Sequence, residues 1–291
     1  MSSIHATLYR KRIQKVLRYI GTHLDEELTV ESLSEVAGFS KYHFHRQFSA
    51  FTGVTVAKLI ALLRLKRASL QLAFETDQQI IDVAYAAGFA NPESFSRAFR
   101  QTQSQSPSHF RRAPQWARWA EIFRTPQPME QETMHPTIAE FPETKVAVLE
   151  HRGSPATLMN SVGRFIEWRK SCGDSPVRTS QTYGIAYDDP DKIASEKFRF
   201  DICGTVTAGV SSNAFGVDEK TIPAGRCAVA RHQGSTDLIG NTVRALFVDW
   251  LPGSGEALRD FPIYFHYIKR MPTVSEHEQI TDVYLPLRPR E

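Results

Sequence analysis

Cysteine is scarce in this sequence. Cys172, Cys203 and Cys227 are odd in number and far apart, which excludes a disulfide framework and a CxxC metal or redox pair. They read as free thiols in a reducing cytoplasm. Long apolar runs are missing too. Nothing approaches the ~20 residues of a membrane span, and the opening MSSIHATLYRKRIQ lacks the apolar stretch of a secretory signal. The chain is therefore expected in the cytoplasm, away from membranes. No GxGxxG, P-loop, HExxH or GxSxG occurs. His43 and His45 are two apart on a helical stretch, so they point to different faces and cannot share a metal. No metal, no cofactor and no enzymatic activity is expected.

What is present is divided. The 291 residues suit two domains. Residues 1–125 hold 17 Lys and Arg against 10 Asp and Glu, whereas residues 126–291 hold 18 against 22. A basic first part beside an acidic second part suggests that only the first meets a polyanion. The first 112 residues read as short helices, with Thr29 and Asp77 as N-caps, a long helix starting near Thr55, and Asn91–Pro92 as N-cap and first helical position. Residues 113–134, with four prolines nearby, read as a short helix around Trp116 and Trp119 followed by a linker. Beyond Pro136 strand patterns appear in KVAVLEHRG, FRFDICGTVTAG, CAVARHQG and TDVYLPLR, with helices at LMNSVGRFIEWRKSC and IGNTVRALFVDWLPGSG.

Each part repeats itself. AGFSKYHFHRQF, from Ala37, returns as AGFANPESFSRAF, from Ala87. Helix, Gly-Phe turn, helix is the outline of a helix-turn-helix. Phe44 and Phe48 share one face of the second helix, as do Phe95 and Phe99. The opposite faces carry Tyr42, His45, Arg46 and Ser49 in one copy and Glu93, Ser96, Arg97 and Arg100 in the other. Arginine pairs bidentately with guanine, and the remaining side chains suit other base edges. Two such helices would enter successive major grooves of double-stranded DNA about 34 Å apart, over roughly 15–20 base pairs. In the second part AVLEHRGSPATLMNSV, from Ala147, returns at an offset of 81 as AVARHQGSTDLIGNTV, from Ala228. One domain of two strand–turn–helix halves, with a pseudo-twofold axis and a cleft, is implied. His151 and His232 match in this repeat, which favours a shared structural role.

SLSEVAGFSKYHFHRQFSAFTG, IIDVAYAAGFANPESFSRAFRQTQSQSPSHFR and the closing SPSHFR resemble the AraC/XylS-type double helix-turn-helix DNA-binding domain, over residues 8–112. Residues 135–291 resemble the GyrI-like effector-binding domain through KVAVLEHRGSPATL, YGIAYDDPDKIASEKFRFDICGTV, IPAGRCAVARHQGSTDLIGNTVRALFVDWLPGSG and ITDVYLPL. The resemblances imply a multidomain chain, all-α double helix-turn-helix followed by an α+β domain of pseudo-twofold β–α repeats. They imply a sequence-specific transcription regulator whose second domain takes a small amphipathic or aromatic molecule, with RNA polymerase as a further partner. The aromatic residues expected around that groove are Trp168, Tyr183, Tyr187, Phe198, Phe200, Phe215, Trp250, Phe265, Tyr267 and Tyr284. Relatives that bind cationic drugs carry Glu in a P..E.Y strand. Here the strand reads FPIYFHYIKR, with Phe265 at that position. Either Asp201, Glu278 or Asp282 supplies an acid, or the ligand is a neutral lipophilic or aromatic compound, the reading preferred. The alternatives are that the second domain hydrolyses small molecules or serves as a protein contact.

Overall fold

In a computed structural model of the chain, residues 2–123, 135–274 and 276–290 are described, with side chains from Leu8 onward. Contacts group the chain into two compact units, Met1–Met129 with Met271–Glu278, and Glu130–Arg270 with Gln279–Glu291.

The first unit is helical. Its elements are α1 (Ser2–Thr22), α2 (Val30–Ala37), α3 (Lys41–Thr52), α4 (Val56–Phe74), α5 (Ile80–Ala86), α6 (Pro92–Gln103), α7 (Pro107–Arg112) and α8 (Trp116–Phe123). Side-chain oxygens hold most of the N-termini, where backbone N–H groups have no helical acceptor. Thr29 accepts from Ser32 N, Ser40 from His43 N, Thr55 from Lys58 N and Asn91 from Ser94 N. Asp77 is not a cap: α5 begins after Gln79, which makes no side-chain capping bond. Gly38 ends α2 in the left-handed region at φ 64°, which a Cβ disfavours.

The central helix α4 ties the two helix-turn-helix pairs together. Arg64 donates to the carbonyls of Leu24 and Glu26 in the first half, and its guanidinium covers Gly88 in the second half's turn. A Cβ on Gly88 would sit 2.9 Å from that guanidinium. Arg67 bonds Asp25 and the carbonyl of Ala86 in the same bridging manner. Its hydrogen bond is the main reason the Asp25 carboxyl titrates below its ordinary range.

Residues 113–123 are not a free spacer. Trp116, Trp119 and Phe123 are buried, and α8 extends a series of rings, Phe95–Phe99–Phe110–Trp116–Trp119–Phe123, edge-to-face from Phe99 onward, with successive centroids 5.4–5.5 Å apart. Trp119 Nε1 donates to Ser69 Oγ on α4 at 2.5 Å. The rest of the expected linker, 124–134, lies outside the described residues.

The second unit is an eight-stranded antiparallel sheet in the order β1-β6-β8-β7-β3-β4-β2-β5. The strands are β1 (Thr137–Phe141), β2 (Thr144–Arg152), β3 (Thr182–Ala186), β4 (Arg199–Thr205), β5 (Asp218–Ile222), β6 (Gly225–Gln233), β7 (Ile263–Lys269) and β8 (Ile280–Pro286). Helix α9 (Leu158–Ser171) follows β2. Its counterpart after β6 is broken into α10 (Ile239–Arg244), a π-helical turn (Ala245–Trp250) and α11 (Leu251–Ser254). The break precedes Pro252, which has no N–H for the carbonyl four residues back and collides with it, a recognised cause of such bulges.

The 81-residue repeat extends over the whole unit. β1, β2, β3 and β4 start 81 residues before β5, β6, β7 and β8, and the strand order reads the same when the two halves are exchanged. The histidine pair shows the symmetry in atoms. His151 Nδ1 meets Ser161 Oγ and its Nε2 the carbonyl of Ser154, while His232 Nδ1 meets Thr242 Oγ1 and its Nε2 the carbonyl of Ser235. Each imidazole pins its strand to the helix that follows, which accounts for the repeated H-x-G-S.

Candidate nucleic-acid interface and ligand groove

On α3, Phe44 and Phe48 are fully buried with rings 5.6 Å apart and tilted 55°. On α6, Phe95 and Phe99 are buried at 5.5 Å and 54°. Equal anchoring turns the same faces of the two helices outward. Tyr42 is 75% exposed, and His45 and Arg46 are exposed beside it. Glu93, Arg97 and Arg100 are exposed on α6, with Ser96 half-buried. Ser49 differs. It is half-buried and its hydroxyl is enclosed without a partner, so it does not share the exposed face.

On α6 the structure gathers Pro92, Glu93, Ser96, Arg97, Arg100 and Gln101 around one open concavity. Gln101 was not among the residues expected from sequence. Its spacing of four from Arg97 was the available signal.

The ten aromatic residues expected around a ligand groove do not lie together. Successive strand residues face opposite ways, and the sheet has two cores. Phe198, Phe200, Phe265 and Trp168 are buried in the core beneath α9 and α10, with Phe215, Trp250 and Tyr267 packed partly buried against it. Phe198 stacks on Phe200 and Phe200 on Phe265, each with centroids 6.3 Å apart. Tyr183 and Tyr284 belong to the core on the other face, with Phe141 and Tyr264. Tyr187 lies on that face as well but outside the core, exposed and donating to Asp201. The sequence gives the alternation, but not which set belongs with the helices.

Phe265 pairs across the sheet with Gly184, and the two are repeat counterparts, so they mark the pseudo-twofold axis. A Cβ on Gly184 would be 2.5 Å from the Phe200 ring and 3.0 Å from Tyr267 Oη, so two aromatic side chains occupy the space that glycine leaves.

Of the three acids considered for this groove, Asp201 and Asp282 do not share a face with Phe265. Asp201 is buried on the opposite face, 2.8 Å from Lys220 Nζ and 2.9 Å from Tyr187 Oη. Lys220 also reaches Glu150 at 2.6 Å. Burial, followed by the hydrogen bond to Asp201, pushes the Tyr187 hydroxyl up to about 12. Asp282, likewise on the far face, accepts from Nε and Nη2 of Arg231 at 2.8 and 2.9 Å. Glu278 lies in the segment grouped with the first unit. Among the described residues no cluster of His, Cys, Asp and Glu is arranged to hold a metal ion, and no single helix is long and apolar enough to cross a membrane.

Residues 134–288 match the family of the GyrI-like small molecule binding domain, and residues 33–113 match a helix-turn-helix domain. The chain belongs to the GyrI-like family. Its GyrI-like domain follows a helix-turn-helix domain of AraC type. The Escherichia coli K12 protein named "Probable transcriptional regulator YgiV" is 49% identical over 155 residues, 53% of this chain and 97% of that one. The right origin-binding protein of the same strain is 31% identical over 192 residues, 62% of this chain and 63% of that one. The Tn10 TetD protein of Escherichia coli is 35% identical over 104 residues, 36% of this chain and 75% of that one. The AraC-type domain and the GyrI-like domain are thus found in one chain, and the relatives include named transcriptional regulators.

Proposed function

We propose that this regulator reads DNA with two helices at once and acts as a sensor, not an enzyme. Tyr42, His45 and Arg46 on α3 would read one half of the site, and Glu93, Ser96, Arg97 and Arg100 on α6, with Gln101 beside them, the other. The observation that carries the reading is the equal setting of Phe44–Phe48 and Phe95–Phe99, which presents Arg46 and Arg97 at equivalent exposed points of two helices. The GyrI-like domain would bind an aromatic or lipophilic molecule on the helix-facing side of its sheet, around Phe265, Phe200 and Tyr267. Asp201 and Asp282, two of the three acids weighed as the counter-charge of a cationic ligand, lie on the other face of the sheet, which supports binding over turnover. A cytoplasmic location follows from a DNA partner.

The test is selection of binding sites from random DNA by the full chain, then measurement of Arg46→Ala and Arg97→Ala. Each change should weaken specific binding by about 1–3 kcal/mol and relax base preference in one half-site only. Unchanged affinity and preference in both variants would refute the assignment of these faces.

A further inference from the structure

The helix-facing side of the sheet is ordered in rows that cross the strands. The row through the pseudo-twofold axis is apolar, with Val283, Phe265, Gly184, Ile202 and Leu149 side by side. The adjacent row on one flank is polar: Thr281 and Tyr267 pair on β8 and β7, and Thr182 and Gly204 pair on β3 and β4. By the 81-residue offset the counterparts of Thr182, Thr281 and Arg169 are Ile263, Phe200 and Trp250. The helix-facing side of the sheet is therefore polar on one flank and apolar on the flank related to it.

Two guanidinium groups stand at the polar flank. Arg169 Nη1 and Arg270 Nη1 both donate to Thr182 Oγ1, at 2.8 and 2.5 Å. Arg169 is 3% exposed, and its acceptors among the described residues are neutral oxygens. Its Nε makes a short bond to the carbonyl of Ser175, 2.7 Å, but its Nη2 makes only long ones, 3.4 Å to Pro176 and 3.3 Å to Ser180. The Nη2 arm therefore retains donor capacity. The same guanidinium lies over the ring of Phe165, 5.7 Å from its centroid, which joins it to the aromatic core. The Ser175 hydroxyl is fully buried and has no hydrogen-bond partner, and the Thr281 hydroxyl at the other end of the polar row is in the same condition. Burying a cation among neutral acceptors is unfavourable unless an anion compensates. Burial, then the neighbouring Arg270, already draws the Arg169 guanidinium down to about 10.

We propose that this flank receives the carboxylate of a small aromatic acid, its oxygens on the Arg169–Arg270 pair and Thr182, its ring toward Phe265. Planar guanidinium and carboxylate match in geometry, and the buried hydroxyl of Ser175 adds a donor. The proposal rests on the reading of the helix-facing groove as the ligand site, and it replaces the neutral ligand preferred from sequence with an anionic one.

The experiment is calorimetric titration of the full chain with 2-naphthoate, the matched alcohol 2-naphthalenemethanol, the matched ammonium 2-naphthylmethylammonium, and inorganic phosphate. Naphthoate should bind at least about tenfold tighter than the alcohol, the ammonium should bind weakest, and phosphate should not compete. Arg169 anchors the 175–180 turn and its loss can unfold it, so the variants are Arg270→Gln and Thr182→Val, with thermal unfolding as the check on folding. Each should bring naphthoate close to the alcohol while the alcohol's own affinity holds. Equal binding of acid and alcohol, preference for the ammonium, competition by phosphate, or naphthoate preference surviving in both variants would overturn the proposal and leave the groove reading standing. Binding of none of the aromatic probes would overturn both.

Discussion

Replacing Trp119 with alanine should loosen the DNA-reading half of the chain although Trp119 lies outside both helix-turn-helix pairs. The indole is buried, with Trp116 and Phe123 at 5.4 Å on either side, Lys66 Nζ 6.0 Å from its centroid, and its N–H on Ser69 Oγ. Truncating a buried Trp to Ala costs about 3–5 kcal/mol in transfer and cavity terms. Edge-to-face contacts of this kind contribute about 0.5–1.5 kcal/mol beyond area burial, so the upper part of the range applies. Native-state hydrogen exchange on the full chain resolves the effect by region. Amides of α4, α6 and α8 should lose about two to four powers of ten in protection, while β2, β4, β6 and β8 keep theirs. Trp119→Phe, which retains a ring and loses the donor, should fall in between. Unchanged protection of α6 in Trp119→Ala, or an equal loss in the sheet, would refute the inclusion of α8 in the helical unit's core.

Further expectations concern both units. Gly184→Ala should lower the stability of the sheet unit by about 1–3 kcal/mol, since the methyl group meets the Phe200 ring at 2.5 Å; urea unfolding followed by near-ultraviolet dichroism checks it. Burial holds His232 and His266 below the ordinary imidazole range. The unfolded chain takes up protons there that the folded chain resists, so their contribution is whole above about pH 6.5 and declines as pH falls toward the lower folded values. The sheet's melting temperature should therefore drop between neutral and mildly acidic pH, and His232→Gln should flatten that dependence. Specific DNA affinity should fall steeply and log-linearly with salt; a flat profile in a filter-binding series would argue against binding through phosphates.

The local pattern in the sequence was enough for the helix-turn-helix faces. Phe44–Phe48 and Phe95–Phe99 at a spacing of four dictate which side of α3 and α6 is buried, whatever the rest of the chain does. The 81-residue repeat likewise announced a two-half domain, because like residues at one offset fold into like strands and turns, each followed by a helical segment. Short elements escaped. β1 and β5 are five-residue strands at the two sheet edges, mostly exposed, and exposed edge strands carry little hydrophobic signal.

Which residues share a groove was decided only by tertiary structure. Sequence alternation divides a strand between two faces but does not name the face the helices will cover. Tyr183, Tyr187 and Tyr284 therefore read as well as Phe200 and Phe265 until the sheet was assembled. The role of Arg169 was hidden for the same reason. A basic residue in the last turn of a helix reads as solvated, and it becomes a buried cation only when the 175–180 turn folds back over it and Arg270, about a hundred residues later, meets it at Thr182. Sequence determined the elements and their repetition, since these depend on neighbours in the chain. The composition of the groove depends on long-range registry, and only the folded sheet fixed it.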